Sequence, residues 1–125
     1  MKIGFLVLAG LTLALKLCAG GINNPAPLKI GAGNATNFYD REMIVTGKVA
    51  QVSIRSKIVL LNLDQPYPNS PFTLVIFPSA TNQFGDLNAL NGKAVEAKGK
   101  IKNYHGKPEI VLEDSNQLTT QAFIK

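Results

Sequence analysis

The chain has 125 residues, 13 Lys plus Arg against 8 Asp plus Glu, one Cys and no Trp. That is the size of one small domain, and it excludes a catalytic chain with a separate cofactor domain. The single Cys excludes a disulfide framework and a zinc ribbon. Lys2 and Lys16 are the only charges in the first twenty residues, so their removal lowers the formal net charge of +5 to +3, a mildly basic remainder rather than a polycation.

The N-terminus reads as an address. Lys2 precedes a 13-residue apolar stretch, Ile3 to Leu15, and Cys18-Ala19-Gly20-Gly21 then supplies the small residues a signal peptidase accepts. Residues 1–20 are therefore expected to be a secretory signal, cut after Ala19 or Gly20, with the mature protein periplasmic or extracellular. The apolar stretch is shorter than the roughly 18 to 20 residues of a spanning helix, and Asn23, Asn24 and Pro25 follow at once, so no stable membrane span is expected. A Cys just past an apolar core is where bacterial lipoproteins take their lipid. Here Lys16 and Leu17 stand where those signals carry small residues, so Cys18 is expected to leave with the signal; a lipid anchor through Cys18 is the alternative.

Residues 21–41 are expected to be a flexible leader, because Gly21 to Gly33 is rich in Gly, Asn and Pro and has no apolar period. Asn34 to Arg41 either makes one helical turn or lies across the bottom of the domain. The domain proper is expected over 42–118, with a polar tail over 119–125.

Met43 to Ile54 is long for a strand. Its apolar positions 43, 45 and 49 give way to 52 and 54, which predicts a β-bulge near Ala50, and Gly47 allows a sharp bend. Arg55 and Ser56 turn into a second strand, Lys57 to Leu63, apolar on both faces. Asp64 to Pro71 contains Pro66, Pro68 and Pro71 and is a loop; Phe72 to Phe77 is a third strand, stopped by Pro78. Phe84, Leu87, Ala89 and Leu90 are spaced for one helical face between Ser79 and Asn91-Gly92, so one short helix is expected there. Lys93 to Tyr104 returns to alternation, with Val95, Ala97, Gly99 and Ile101 on one side and Glu96, Lys98, Lys100, Lys102 and Tyr104 on the other. His105 to Pro108 turns the chain into a last strand, Glu109 to Leu112. Three strands, a short helix and two strands, with Gly47 and Gly99 inside the first and fourth, describe an all-β domain: a five-stranded Greek-key OB-fold barrel.

The residues also carry a resemblance. Thr46-Gly47-Lys48-Val49 with Val52, Leu61-Asn62-Leu63, Phe72 to Phe77, Leu90-Asn91-Gly92-Lys93 and Tyr104-His105-Gly106-Lys107-Pro108-Glu109-Ile110-Val111-Leu112 resemble the small bacterial OB-fold domains related to tRNA-anticodon and other nucleic-acid-binding OB modules. The likeness runs over roughly 42–118, and its most specific part is the segment from Tyr104 to Ile110. It implies the fold first, and a nucleic-acid-binding role by descent.

OB barrels bind strands across their second and third strands, between the turn joining strands one and two and the turn joining strands four and five. Those turns hold Arg55, Ser56 and Lys57, and Tyr104, His105, Gly106 and Lys107. Cations for phosphate beside a ring for a base are what sequence-tolerant single-strand binding needs. The plainer reading has Tyr104 covering the barrel end and the lysines solvating a rim. Lys98, Lys100 and Lys102 share one face at spacing two and form a positive stripe of roughly 13 Å; such a stripe either tracks phosphates or is a solvated outer face. Phe72 and Tyr104 are the rings whose exposure decides whether a stacking platform exists.

No enzyme, cofactor or metal is expected. His105 is the only His and lacks a Cys or carboxylate pair to complete a zinc site. An OB-fold nuclease resembling the secreted thermonucleases needs two arginines, a glutamate and calcium-binding aspartates around one pocket, and Arg41 and Arg55, the only arginines, do not match that pattern. The expected function is an exported, monomeric OB module that binds single-stranded nucleic acid non-specifically. The alternative, from another class, is a structural or protein- or glycan-interacting OB domain of the cell envelope.

Overall fold

The computed structural model describes residues 27–120. The signal expected over 1–20, with Cys18, and the end of the tail, 121–125, lie outside the described residues. Among the described residues no helix is long and apolar enough to cross a membrane. The described residues form eight strands: β1 (Lys29–Gly31), β2 (Glu42–Arg55), β3 (Ile58–Leu63), β4 (Phe72–Ile76), β5 (Ala94–Lys100), β6 (Lys102–Tyr104), β7 (Lys107–Val111) and β8 (Leu118–Thr120). Their hydrogen-bonded order is β6-β7-β4-β3-β2-β5-β8, with β1 added in parallel to β2. All neighbours in this path are antiparallel except β4 and β7. This is the expected all-β, OB-like arrangement, built on β2, β3, β4, the β5–β6 segment and β7.

Alternation accounts for the core. Met43, Val45 and Val49 of β2, Leu61 and Leu63 of β3, Phe72, Leu74 and Ile76 of β4, Val95 and Ala97 of β5, and Ile110 of β7 are all buried, joined by Ile101 and Leu112. Each large apolar side chain so covered contributes roughly 1.5 to 3 kcal/mol. The β2–β3 register shifts between Val49 and Gln51, so the bulge falls at Ala50 and turns the inward parity from odd to even positions.

Gly99 meets the core by close approach. A Cβ built there would stand 2.7 Å from Ile110 Cγ2, so β5 and β7 come together only because that side chain is missing. At Gly47 the equivalent contacts, to Asp64 Oδ1 and to Leu63, are 3.1 and 3.2 Å.

Both hairpins near the expected site use two-residue turns with left-handed backbone at both positions. Ser56 and Lys57 have φ of 50° and 71°, and His105 and Gly106 have φ of 52° and 84°. That twist suits a tight antiparallel pair. Arg55 closes on Ile58, and Tyr104 on Lys107.

Three expectations are corrected. The leader does not extend to residue 41: β1 pairs with β2, and Ala32–Phe38 makes a 3-10 turn that buries Ala32 and Ala35 against the core. Small side chains let that backbone lie close to the sheet. Ser79 to Asn91 is not one helix but two 3-10 turns, Pro78–Gln83 and Leu87–Leu90. Gly85, at φ 66°, separates them, and the Asp86 carboxylate caps the second through the Asn88 N–H. Lys93 to Tyr104 is two strands rather than one. At Ile101 the backbone bonds to the segment before β2, its N–H donating to the Arg41 carbonyl at 3.0 Å and its carbonyl accepting from the Asp40 N–H at 2.7 Å. The chain thereby leaves β2, which pairs with β5, and joins β7, which pairs with β6. The two strands lie far apart in the sheet path yet are consecutive in the chain, so Ile101 is where the chain passes from one end of the sheet to the other.

Candidate functional site

Register alone sets a polar row across the outer face. Gln51 of β2 stands opposite Asn62 of β3, Asn62 opposite Thr73 of β4, Thr73 opposite Glu109 of β7, and Glu109 opposite Lys102 of β6. Asn62 is buried although it faces outward, because the loop from Asp64 to Pro71 folds back over it. Its amide donates to Gln51 Oε1 at 2.8 Å, and its carbonyl oxygen accepts from the Thr73 hydroxyl at 2.9 Å and the Ser70 hydroxyl at 3.4 Å. A buried carboxamide must be paired in this way to be tolerated. The same Gln51 oxygen accepts the Tyr67 N–H at 2.9 Å, which pins the loop to the sheet.

Above this row lies a groove of about 350 Å³. One wall is the 64–71 loop, with Tyr67; the other is the β6–β7 hairpin, with Tyr104, His105 and Lys107; Leu60, Asn62, Thr73 and Glu109 form the floor. Tyr67 is 65% exposed and Tyr104 60% exposed, so two aromatic faces are open to a ligand. The Tyr104 ring meets the His105 ring edge-on, with centroids 4.3 Å apart. A smaller depression of about 110 Å³ adjoins it on the β2 side, where the Arg55 guanidinium carbon stands 5.9 Å from the centre of the Tyr67 ring. The Lys107 ammonium donates to the Pro68 carbonyl at 2.7 Å.

Glu109 is the acid of the floor. Partial burial raises its pKa above the ordinary 4.5, and Lys102 opposite acts against that rise. Among the described residues no hydrogen bond or ion pair within 4.0 Å reaches its carboxylate. An acceptor at the floor and cations at the edges favour a ligand that turns N–H groups inward and anionic groups outward.

The expected site residues divide. Arg55, Tyr104 and Lys107 gather at the groove and its smaller neighbour. Lys102 pairs with Glu109 across β6 and β7 but does not line the groove. Lys57 sits on the exposed turn and lines neither depression. Lys98 and Lys100 lie on β5, outside the groove; Lys100 shares with Lys102 a separate depression that also holds Glu42 and Glu113. The stripe therefore runs away from the groove, because the chain bends at Ile101. Phe72 is 1% exposed and belongs to the core, so it is no stacking platform. Sequence reasoning missed Tyr67 and Glu109. The signal for Tyr67 was an aromatic residue between Pro66 and Pro68, a ring on a stiffened loop.

No family model matches the chain, and no curated protein matches it. Solved structures do. A protein from Leishmania major Friedlin assigned as an aspartyl-tRNA synthetase superposes with a TM-score of 0.50 at 10% identity, covering 81% of this chain and 22% of that one. The asparaginyl-tRNA synthetase of Entamoeba histolytica superposes with a TM-score of 0.50 at 14% identity, covering 78% of this chain and 24% of that one. The chain thus spans about a quarter or less of either enzyme. At these identities the likeness is one of fold.

Proposed function

We propose that this chain is an exported OB module that binds single-stranded nucleic acid with little sequence preference and carries no chemistry of its own. One observation supports the reading above the others: Tyr67 and Tyr104, both more than half exposed, face a common groove on the outer surface of β3, β4 and β7. Stacking on such rings accepts any base. Arg55 and Lys107 stand where a backbone would leave the groove, and Glu109 keeps phosphates off its floor. The two similar solved chains are named as tRNA synthetases, which agrees with a nucleic-acid ligand for this fold.

Titration of the purified protein with labelled single-stranded DNA and RNA at low and high salt tests it. Saturable binding that weakens with salt is expected, as counterion release requires. No saturable binding at either salt concentration transfers the reading to a protein- or glycan-docking domain of the envelope. Export is tested separately by the intact mass of protein recovered from the envelope: loss of residues 1 to 19 or 20 is expected, and a lipid-sized increment on Cys18 would establish the anchored form instead.

A further inference from the structure

We propose that the site holds two successive bases, one on each side of the Tyr67 ring, in the order Tyr104, base, Tyr67, base, Arg55. The proposal rests on reading the groove as a single-strand site, and it adds the stacking order and the shortest full ligand. The groove and the smaller depression are separate spaces that share Leu60, Asn62 and Tyr67. Tyr67 is therefore the partition between them. The groove reaches Tyr104 on its far side; the smaller space reaches Arg55.

The partition and the two far walls are all planar groups. Two are phenol rings, and the third is a guanidinium already held 5.9 Å from the Tyr67 ring centre, within the range of a cation–π contact. A guanidinium plane stacks on a base much as it stacks on a ring, which an ammonium cannot do. A base entering the smaller space would replace the Tyr67 ring as the surface under Arg55 and gain the other face of that ring as its own platform. Tyr67 is held for this by its N–H on Gln51 Oε1, and its loop by Lys107 on the Pro68 carbonyl. Fixed platforms lose little entropy when a ligand binds. Faces set the length of the ligand rather than its sequence.

The chain has three tyrosines and no tryptophan, so quenching of tyrosine fluorescence reports stacking directly. The experiment titrates the protein with thymidine 5′-monophosphate and with oligothymidylates of two, four and twelve nucleotides at high salt. Affinity is expected to rise about tenfold or more between one and two nucleotides. Arg55→Lys keeps the charge and removes the plane. It should lose about tenfold for the dinucleotide, leave the mononucleotide unaffected and leave the salt slope unchanged. Tyr67→Ala should lower affinity for both. Wild-type dinucleotide affinity in Arg55→Lys, or wild-type affinities in Tyr67→Ala, would overturn the ladder, and binding of the twelve-mer would then leave the single-strand reading standing. Absence of saturable binding by every oligonucleotide at low salt as well would overturn both.

Discussion

Lys107 spans the groove: its ammonium rests on the Pro68 carbonyl at 2.7 Å, so the hairpin that carries Tyr104 is tied to the loop that carries Tyr67. One of its three N–H donors is used in this contact and two remain for a phosphate. Lys107→Ala should therefore weaken single-strand binding and flatten the plot of log affinity against log salt by roughly 0.7. The residue is exposed, so its melting curve should stay within about 0.5 kcal/mol of the parent. Anisotropy titrations over a salt series check this, and an unchanged slope would take Lys107 off the phosphate path.

Tyr104 should act differently, because stacking is not an ionic term. Tyr104→Ala should lose about 1 to 3 kcal/mol of single-strand affinity at every salt concentration, while Tyr104→Phe keeps most of it. Parallel titrations of the two variants separate ring from hydroxyl. A loss in Tyr104→Phe equal to that in Tyr104→Ala would mean that the hydroxyl, not the ring face, is used.

Gly99 has no room for a methyl group. Its added Cβ would press on buried Ile110 Cγ2 at 2.7 Å and on Gln117 Nε2 at 3.3 Å, so Gly99→Ala should destabilise by about 1 to 3 kcal/mol, as overpacking does. Gly47→Ala, with contacts no closer than 3.1 Å, should cost less. Urea melts of the two variants give the ranking, and equal stability would show that β5 and β7 have room to separate.

Lys57 adopts φ 71° at the β2–β3 turn, where a side chain is strained and glycine is not. Lys57→Gly should stabilise the domain by about 0.5 to 1 kcal/mol, the relief of strain exceeding the extra entropy of the unfolded glycine. Because Lys57 lines neither depression, the same variant should keep its single-strand affinity. Thermal melts and one titration decide both halves.

Glu109 links stability to pH with a definite sign. Burial favours its neutral form in the folded state and outweighs Lys102, so the folded protein holds this proton more tightly than the unfolded chain does. Its contribution is therefore fully present below the ordinary 4.5 and is lost as pH rises through the higher folded value. Glu109→Gln, which stays neutral, should melt higher than the parent at pH 7, with the gap closing below pH 4.5. A gap that widens on acidification would mean that the Lys102 attraction dominates instead.

The inner faces of this fold were legible because alternation reports burial directly. Val95, Ala97, Gly99 and Ile101 all point inward as their spacing predicts, and the parity change from Val49 to Val52 located the bulge. Alternation gives a residue's face, however, and not its neighbours. Lys98, Lys100, Lys102 and Tyr104 are equivalent in pattern, yet the chain changes partner at Ile101, through hydrogen bonds to Asp40 and Arg41 some sixty positions earlier, and only Tyr104 enters the groove. Tyr67 escaped for a related reason: a loop has no period, and its main chain is pinned to the sheet by the bond from its N–H to Gln51 on a different strand. Two short 3-10 segments, Pro78–Gln83 and Leu87–Leu90, with Phe84 between them, satisfied the helical spacing of Phe84, Leu87 and Leu90, which spacing over so short a stretch does not distinguish from one helix.

β6 is three residues long, exposed throughout, and stands at the end of the sheet with β7 as its ladder partner. The loop that faces it is fastened to a buried amide network. Beyond its ladder with β7, only the Lys107 tie to Pro68 and the Tyr39 hydroxyl on the Gly106 carbonyl at 3.4 Å hold this hairpin among the described residues, so in hydrogen–deuterium exchange the amides of Lys102 to Tyr104 should trade well ahead of Asn62 and Thr73. A purine and a pyrimidine differ in breadth, and on the proposed single-strand reading a hairpin that opens locally, at a small fraction of the cost of global unfolding, would adapt to either without disturbing the sheet beneath.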